Sequence, residues 1–210
     1  ESDLTATAEV QARTLGAASQ EIDASMTLDA SRVGIQRIDG GTLRASLTPE
    51  RATANGTLSL PAGRVTASGF AALDGSEQFA LESARLDSFD VAALAGDSTG
   101  SRVTGTARVE GRGFTPETMR LDASLQLDHS HYGPYALSAL TTEVSLTEGQ
   151  LRTSTDATLN GGDWTLALDG RPFARVPTFE LRQGQFRRVD IGPFLQDTTQ
   201  SSHLDGTVQG

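Results

Sequence analysis

His129 and His131 stand two apart, and in a strand that spacing puts both imidazoles on one face, within reach of one metal ion. No third ligand accompanies them. The matching positions about 99 residues upstream are Ala30 and Arg32, so the pair reads as two exposed histidines and no metal is expected. Asp23, Asp29, Asp122 and Asp128 also recur, but each alternates with an apolar residue and so faces water. The Gly-Gly-x-Gly-x-Asp runs of calcium-binding β-helices are missing. Serine, histidine and aspartate occur together, yet no serine has the strand-to-helix context of a nucleophile elbow. Arg187-Arg188 could meet a phosphate near an edge, although a solvated pair is the plainer reading. Nothing here supports an enzyme or a cofactor, and repeated units argue against a unique active site.

The chemistry left to the chain is that of apolar solvation. Ile22, Met26, Leu28, Leu47, Leu58, Leu60, Phe79 and Leu81 form one set of candidate groove residues. Their counterparts are Leu121, Leu125, Leu127, Leu146, Leu159, Leu166, Phe179 and Leu181. Such a row could line an apolar groove, and it would also serve as an ordinary packed core. Trp164, in the place of Val65, belongs to one or the other.

Composition narrows the partners. The net charge is −10 and all 17 basic residues are arginine, without the clustered positive charge that nucleic acid requires. Cysteine is absent, so neither disulfides nor thiolate metal sites exist. No stretch approaches the roughly 20 apolar residues of a membrane span.

The elements that must position these side chains are strands. Leu4, Ala6, Ala8, Val10 and Ala12 alternate with polar residues, as do Ile22, Ala24, Met26 and Leu28. Further alternating segments are 42–47, 53–60, 64–73 and 77–86, then 103–111, 119–128, 139–146, 150–159, 164–170 and 178–186. Turn signals at Gly40-Gly41, Pro61-Ala62-Gly63, Asp74-Gly75-Ser76 and Asn160-Gly161 separate them. The helical exceptions are 91–96 and 191–196, the latter with Pro193 in its first turn and each preceded by a capping aspartate, Asp90 or Asp190. Many inward positions are small: Ala6, Ala8, Ala67, Gly69, Gly105, Ala107 and Gly111. Small inward rows suit a tight solenoid or a curled sheet whose trough is filled by a ligand.

The segments repeat. LDSFDVAALAGD (86–97) is echoed by FRRVDIGPFLQD (186–197), and EIDASMTLDASRVG (21–34) by RLDASLQLDHSHYG (120–133). Unit 1 is read as 1–97, unit 2 as 98–197, and 198–210 as the start of a third, so a piece of a longer repeat protein is expected.

The phrase FDVAALAGDSTGSRVTGTARVEGRG (89–113), its echo VDIGPFLQDTTQSSHLDGTVQG (189–210) and GQLRTSTDATLNGGDWTLALDG (149–170) resemble the AsmA and TamB-type proteins of the bacterial envelope, bridge-like lipid-transfer proteins. The resemblance covers nearly all of the chain in rhythm and lacks a diagnostic signature. It implies a β-taco: an all-β, repetitive antiparallel sheet curled into an elongated U-shaped groove, with one short helical turn per repeat. It further implies a periplasmic location and a parent protein anchored in the inner membrane. The implied role is to carry phospholipid acyl chains between inner and outer membranes, or to assist outer-membrane biogenesis. An outer-membrane protein partner would be engaged through regions outside these residues. The rival expectation is a closed β-solenoid or sandwich serving as the stalk of a surface adhesin.

Overall fold

The computed structural model describes residues 3–14, 20–33, 36–94, 96–190 and 204–209. The elements are β1 (Ala6–Thr14), β2 (Gln20–Leu28), β3 (Ser31–Val33), β4 (Gln36–Ile38), β5 (Gly40–Leu47), β6 (Arg51–Leu60), β7 (Gly63–Ala72) and β8 (Gln78–Phe89). They continue with α1 (Val91–Leu94), β9 (Ser101–Arg112), β10 (Arg120–Tyr132), β11 (Tyr135–Thr147), β12 (Gln150–Leu159), β13 (Gly162–Arg171), β14 (Thr178–Val189) and β15 (Leu204–Val208). Each alternating segment read from the sequence lies in a strand, to within two residues at its ends. The small β3–β4 hairpin was not anticipated; it continues the β2–β5 connection beyond the break at Asp29-Ala30. Residues 91–94 form the expected helical turn, while its twin at 191–196 lies outside the described residues.

One antiparallel sheet of 13 strands runs in chain order from β1 to β15, passing over β3–β4. It is open, with β1 and β15 at its edges, so it is neither a closed barrel nor two facing sheets. At about 4.8 Å per strand its curled span is roughly 58 Å along the hydrogen-bonding direction.

Register aligns the apolar positions of every strand on one face. One row reads Ala8, Met26, Leu43, Gly56 and Ala67, and beyond β8 it continues through Ala107, Leu125 and Thr142. The opposite face is polar: Ser68 Oγ meets Ser83 Oγ at 3.0 Å, and Arg51 lies 3.5 Å above the Phe70 ring. A one-residue slip would exchange the two faces, so the alternation itself specifies register.

Bulges keep this assignment intact where the strands lengthen. Ser88 and Arg188, at equivalent positions of the two repeats, both have positive φ, +51° and +54°. Each extra residue turns the following side chain, Phe89 or Val189, back to the apolar face, where both are buried. The amide freed at each bulge finds a side chain on the next strand. Ser88 N donates to Thr104 Oγ1 at 3.2 Å, and Arg188 N donates to Asp205 Oδ1 at 2.9 Å. A neighbouring glycine makes room in both repeats. A Cβ on Gly63 would lie 2.7 Å from Phe89 Cα, and one on Gly162 would lie 2.8 Å from Val189 Cα.

Two buried serines clasp the strand ends in the same repeated way. Ser31 Oγ accepts from Thr5 N at 3.1 Å and donates to Asp29 O at 2.8 Å. Ser130 Oγ accepts from Thr104 N at 3.1 Å and donates to Asp128 O at 3.1 Å. Each satisfies a backbone amide where the ladder is interrupted.

Gly63 combines a φ of +132° with the close approach of Phe89, whereas Gly75 has φ +85° in open space. Gly63→Ala is therefore expected to lower unfolding stability by about 2–4 kcal/mol. Gly75→Ala should cost about 1 kcal/mol. Urea midpoints of the two variants check this, and equal shifts would contradict the close-packing account.

Candidate functional site

Among the described residues, almost nothing of the chain lies upon the apolar face. Among the described residues the buried apolar side chains are Phe89, Ala92, Leu146 and Val189, whereas Leu43, Leu47 and Leu166 are exposed. The total surface is 13,590 Å² for a 22.1 kDa chain. A compact monomer of that mass would expose about 9,300 Å².

Over β2 and β5–β8 this face is concave and forms an open trough of about 820 Å³. Its floor is a row of small residues running across the strands: Ala24, Ala45, Ala54 and Gly69, in direct register. Larger side chains stand on both sides, Ile22 and Leu47 along one and Met26, Leu43, Leu28, Leu58 and Val65 along the other. The floor is one side chain wide over β2 and β5 and widens over β6 and β7, where Ala52, Gly56, Ala67 and Ala71 flank it, so the furrow runs parallel to the long axis of the sheet.

The second repeat carries the same face without the same floor. The positions equivalent to Ala24, Ala45, Ala54 and Gly69 are Ala123, Val144, Thr153 and Leu168, aligned by the corresponding ladders. Three of these four side chains are larger, so the furrow is shallower there. Thr142 Oγ1 and Thr155 Oγ1 form a 3.1 Å hydrogen bond on this face, which adds a hydroxyl pair to an otherwise apolar surface.

Every candidate groove residue named from the sequence falls on the apolar face by strand register. Ile22, Met26, Leu28, Leu47, Leu58 and Leu81 line the trough, and Leu60 and Phe79 lie on the same face outside its lining. Leu121, Leu125, Leu127, Leu159, Leu166, Phe179 and Leu181 lie on the second repeat's part of the face. Leu146 is buried there and so acts as packing. Sequence reasoning passed over Leu43, which is 41% exposed, and Ala54, although both alternate in phase with chosen neighbours.

Some small inward residues have a packing role instead. The ring of Phe79 lies over Gly111, that of Phe179 over Gly170 and that of Phe186 over Gly206. Phe79 also stacks on Phe114 with centroids 5.7 Å apart, and Trp164 packs against Phe186 at 5.8 Å. These glycines seat aromatic rings on the neighbouring strand.

The polar constellations do not assemble into a site. His129 sits on a bulge with φ +43°, which interrupts the alternation expected to pair it with His131 on one face. Both are exposed, and the described residues contain no cluster of three or more metal-ligating side chains. Arg188 is held by Asp163 at 2.5 Å. Ser98, within Gly-Asp-Ser-Thr-Gly, lies between α1 and β9, so its turn leads into a strand, the reverse of a nucleophile elbow.

The connection holding α1 at the end of this face is ordered by two aspartates. Asp90 Oδ1 accepts from Ala93 N at 3.1 Å, Ser101 N at 3.1 Å and Ser101 Oγ at 2.9 Å. Ser101 Oγ accepts in turn from the N–H of the fully buried Ala92 at 3.0 Å. The Ala93 amide first, and then the Ser101 hydroxyl, hold the Asp90 carboxyl below its ordinary range. Asp97 is lowered likewise, by Thr99 and by Tyr132, whose hydroxyl donates to Asp97 Oδ2 at 2.6 Å and is itself raised.

No protein-family profile, curated protein or solved structure matches this chain.

Because the folded Asp90 carboxyl titrates below 3.8, its contribution to α1 is fully present above that pH and is lost as pH falls through the lower folded value. Hydrogen exchange at the Ala93 amide, corrected for intrinsic rate, should remain slow at neutral pH and quicken only in that acid range. Asp90→Ala should quicken it at every pH, and unchanged protection in that variant would contradict the capping role.

Proposed function

We propose that this chain is a lipid-carrying segment of a bacterial envelope protein, and that its furrow holds phospholipid acyl chains while headgroups stay in solvent at the open side. The observation that carries this reading is the exposed apolar trough with its small-residue floor. From β2 to β8 the trough crosses four inter-strand gaps, about 19 Å. That length is close to one leaflet of a hydrocarbon core about 30 Å thick. Its volume also lies within the range of small-molecule sites.

Each methylene moved from water into the furrow gains about 0.8 kcal/mol, so a single tail supplies the whole driving force without a covalent step or a cofactor. A continuous face of similar side chains lets a tail shift from one position to the next without a deep trap. Thr142 and Thr155 are the point along the face where an ester or glycerol oxygen would find hydroxyl partners. This reading places the segment in the periplasm, within a parent protein anchored in the inner membrane. Phospholipid is the ligand, and an outer-membrane protein partner binds elsewhere in the parent. Nucleic acid has no role in it.

Native mass spectrometry of the chain purified from bacterial membranes tests the proposal. Co-purified phospholipid of about one molecule per chain is expected. Ala45→Phe/Ala54→Phe, which fills the floor, should remove it while the circular dichroism spectrum is unchanged. A lipid-free mass after incubation with phospholipid, or full occupancy in the filled variant, would overturn the proposal in favour of a purely structural role.

A further inference from the structure

Antiparallel strands in chain order place their turns on two opposite rims, and the β7–β8, β9–β10 and β13–β14 turns share one of them. The β13–β14 turn, Arg171-Pro172-Phe173-Ala174-Arg175-Val176-Pro177, differs in kind from the rest of this acidic chain. It carries two arginines and no acidic residue, and Phe173 and Val176 are 51% and 71% exposed. Its equivalent in the first repeat, the β7–β8 turn, carries Asp74 and Glu77 instead. One repeat position has thus reversed its charge within a molecule whose net charge is −10.

The geometry of the turn favours projection. Pro172 and Pro177 bracket it, and neither has an N–H with which to extend the β13–β14 ladder. Ala174 N donates to Arg171 O at 3.3 Å, so the tip is a turn held between two fixed φ angles. Among the described residues neither Arg171 nor Arg175 has an ion-pair partner, while the nearby Asp169 is already engaged by Arg182 at 3.5 Å. An aromatic and a branched aliphatic side chain at the tip, flanked by free guanidinium groups, match a surface that is anionic outside and apolar just beneath.

We propose that the β13–β14 turn docks this rim on an anionic phospholipid bilayer, with Phe173 and Val176 entering the interfacial layer and Arg171 and Arg175 meeting lipid phosphates. The docking is independent of lipid in the trough. It brings a rim of the apolar face to a membrane surface, where that face could exchange its cargo.

Co-sedimentation of the full chain with vesicles of phosphatidylglycerol and phosphatidylcholine, against phosphatidylcholine alone, tests this. Binding should be confined to the anionic vesicles and weaken with added salt. Each arginine at such a surface is worth about fivefold in partition, so Arg171→Glu/Arg175→Glu should lower it by 25-fold or more. Phe173→Ser/Val176→Ser should also release the chain. Native mass spectrometry of these variants should show trough lipid unchanged, and Ala45→Phe/Ala54→Phe should still sediment with anionic vesicles. No sedimentation of the parent chain with anionic vesicles, or undiminished sedimentation of both turn variants, would overturn the proposal. Loss of binding only in the trough-filled variant would assign vesicle capture to the furrow and overturn it as well.

Discussion

An antiparallel sheet with one apolar face must put that face against something, and among the described residues very little of the chain lies there. Hydrogen bonding along 12 strand junctions satisfies the backbone, and alternation separates the faces cleanly, so the fold is well specified in two dimensions. In the third dimension it is incomplete. The few buried side chains gather near the bulges, α1 and the strand ends, where Phe89, Ala92 and Val189 anchor the margin of the apolar layer. The centre is left open. Exposed apolar surface on this scale is a hydration cost that a bound apolar molecule relieves, and so the open face and the proposed cargo are two views of one constraint.

The repeat solves the problem of a long sheet by reusing a few local devices. A left-handed residue at Ser88 or Arg188 bulges the strand, and an amide acceptor on the next strand satisfies the freed N–H. Gly63 or Gly162 admits the bulged backbone, and Ser31 or Ser130 clasps the strand end. None of these devices touches the centre of the apolar face. The floor could therefore change from Ala45, Ala54 and Gly69 to Val144, Thr153 and Leu168 without altering the pairing scheme. Depth is set by side-chain size alone, and the first repeat keeps the deeper furrow.

The period of two made the strands and their apolar phase legible, because alternation is a property of single segments. The choice of Ile22, Met26, Leu28, Leu47, Leu58 and Leu81 rested on that phase, and these residues do meet in one trough. Which row forms the floor was not legible. It depends on which residue of β5 lies opposite which residue of β6, and on bulges such as that at Ser88 that no local pattern announces. Leu43 was missed for the same reason: its neighbour across the strand is Gly56, which leaves it standing clear of the sheet. Gly111 counts in the sequence among the small inward residues of a solenoid or a ligand-filled trough but seats Phe79, a pairing visible only once the strands are adjacent. His129 and His131 are exposed as expected, but the bulge at His129 interrupts the alternation that would set both on one face.

The most direct measurement is photocrosslinking with benzoylphenylalanine placed at Leu43 on the apolar face or at Arg44 on the polar face, in the presence of phospholipid labelled in its acyl chain. The two positions are adjacent in β5 and differ only in the face they occupy. Lipid adducts at position 43 and none at position 44 are the predicted result. Equal labelling at both positions, or adducts at position 43 that contain only polypeptide, would contradict the account.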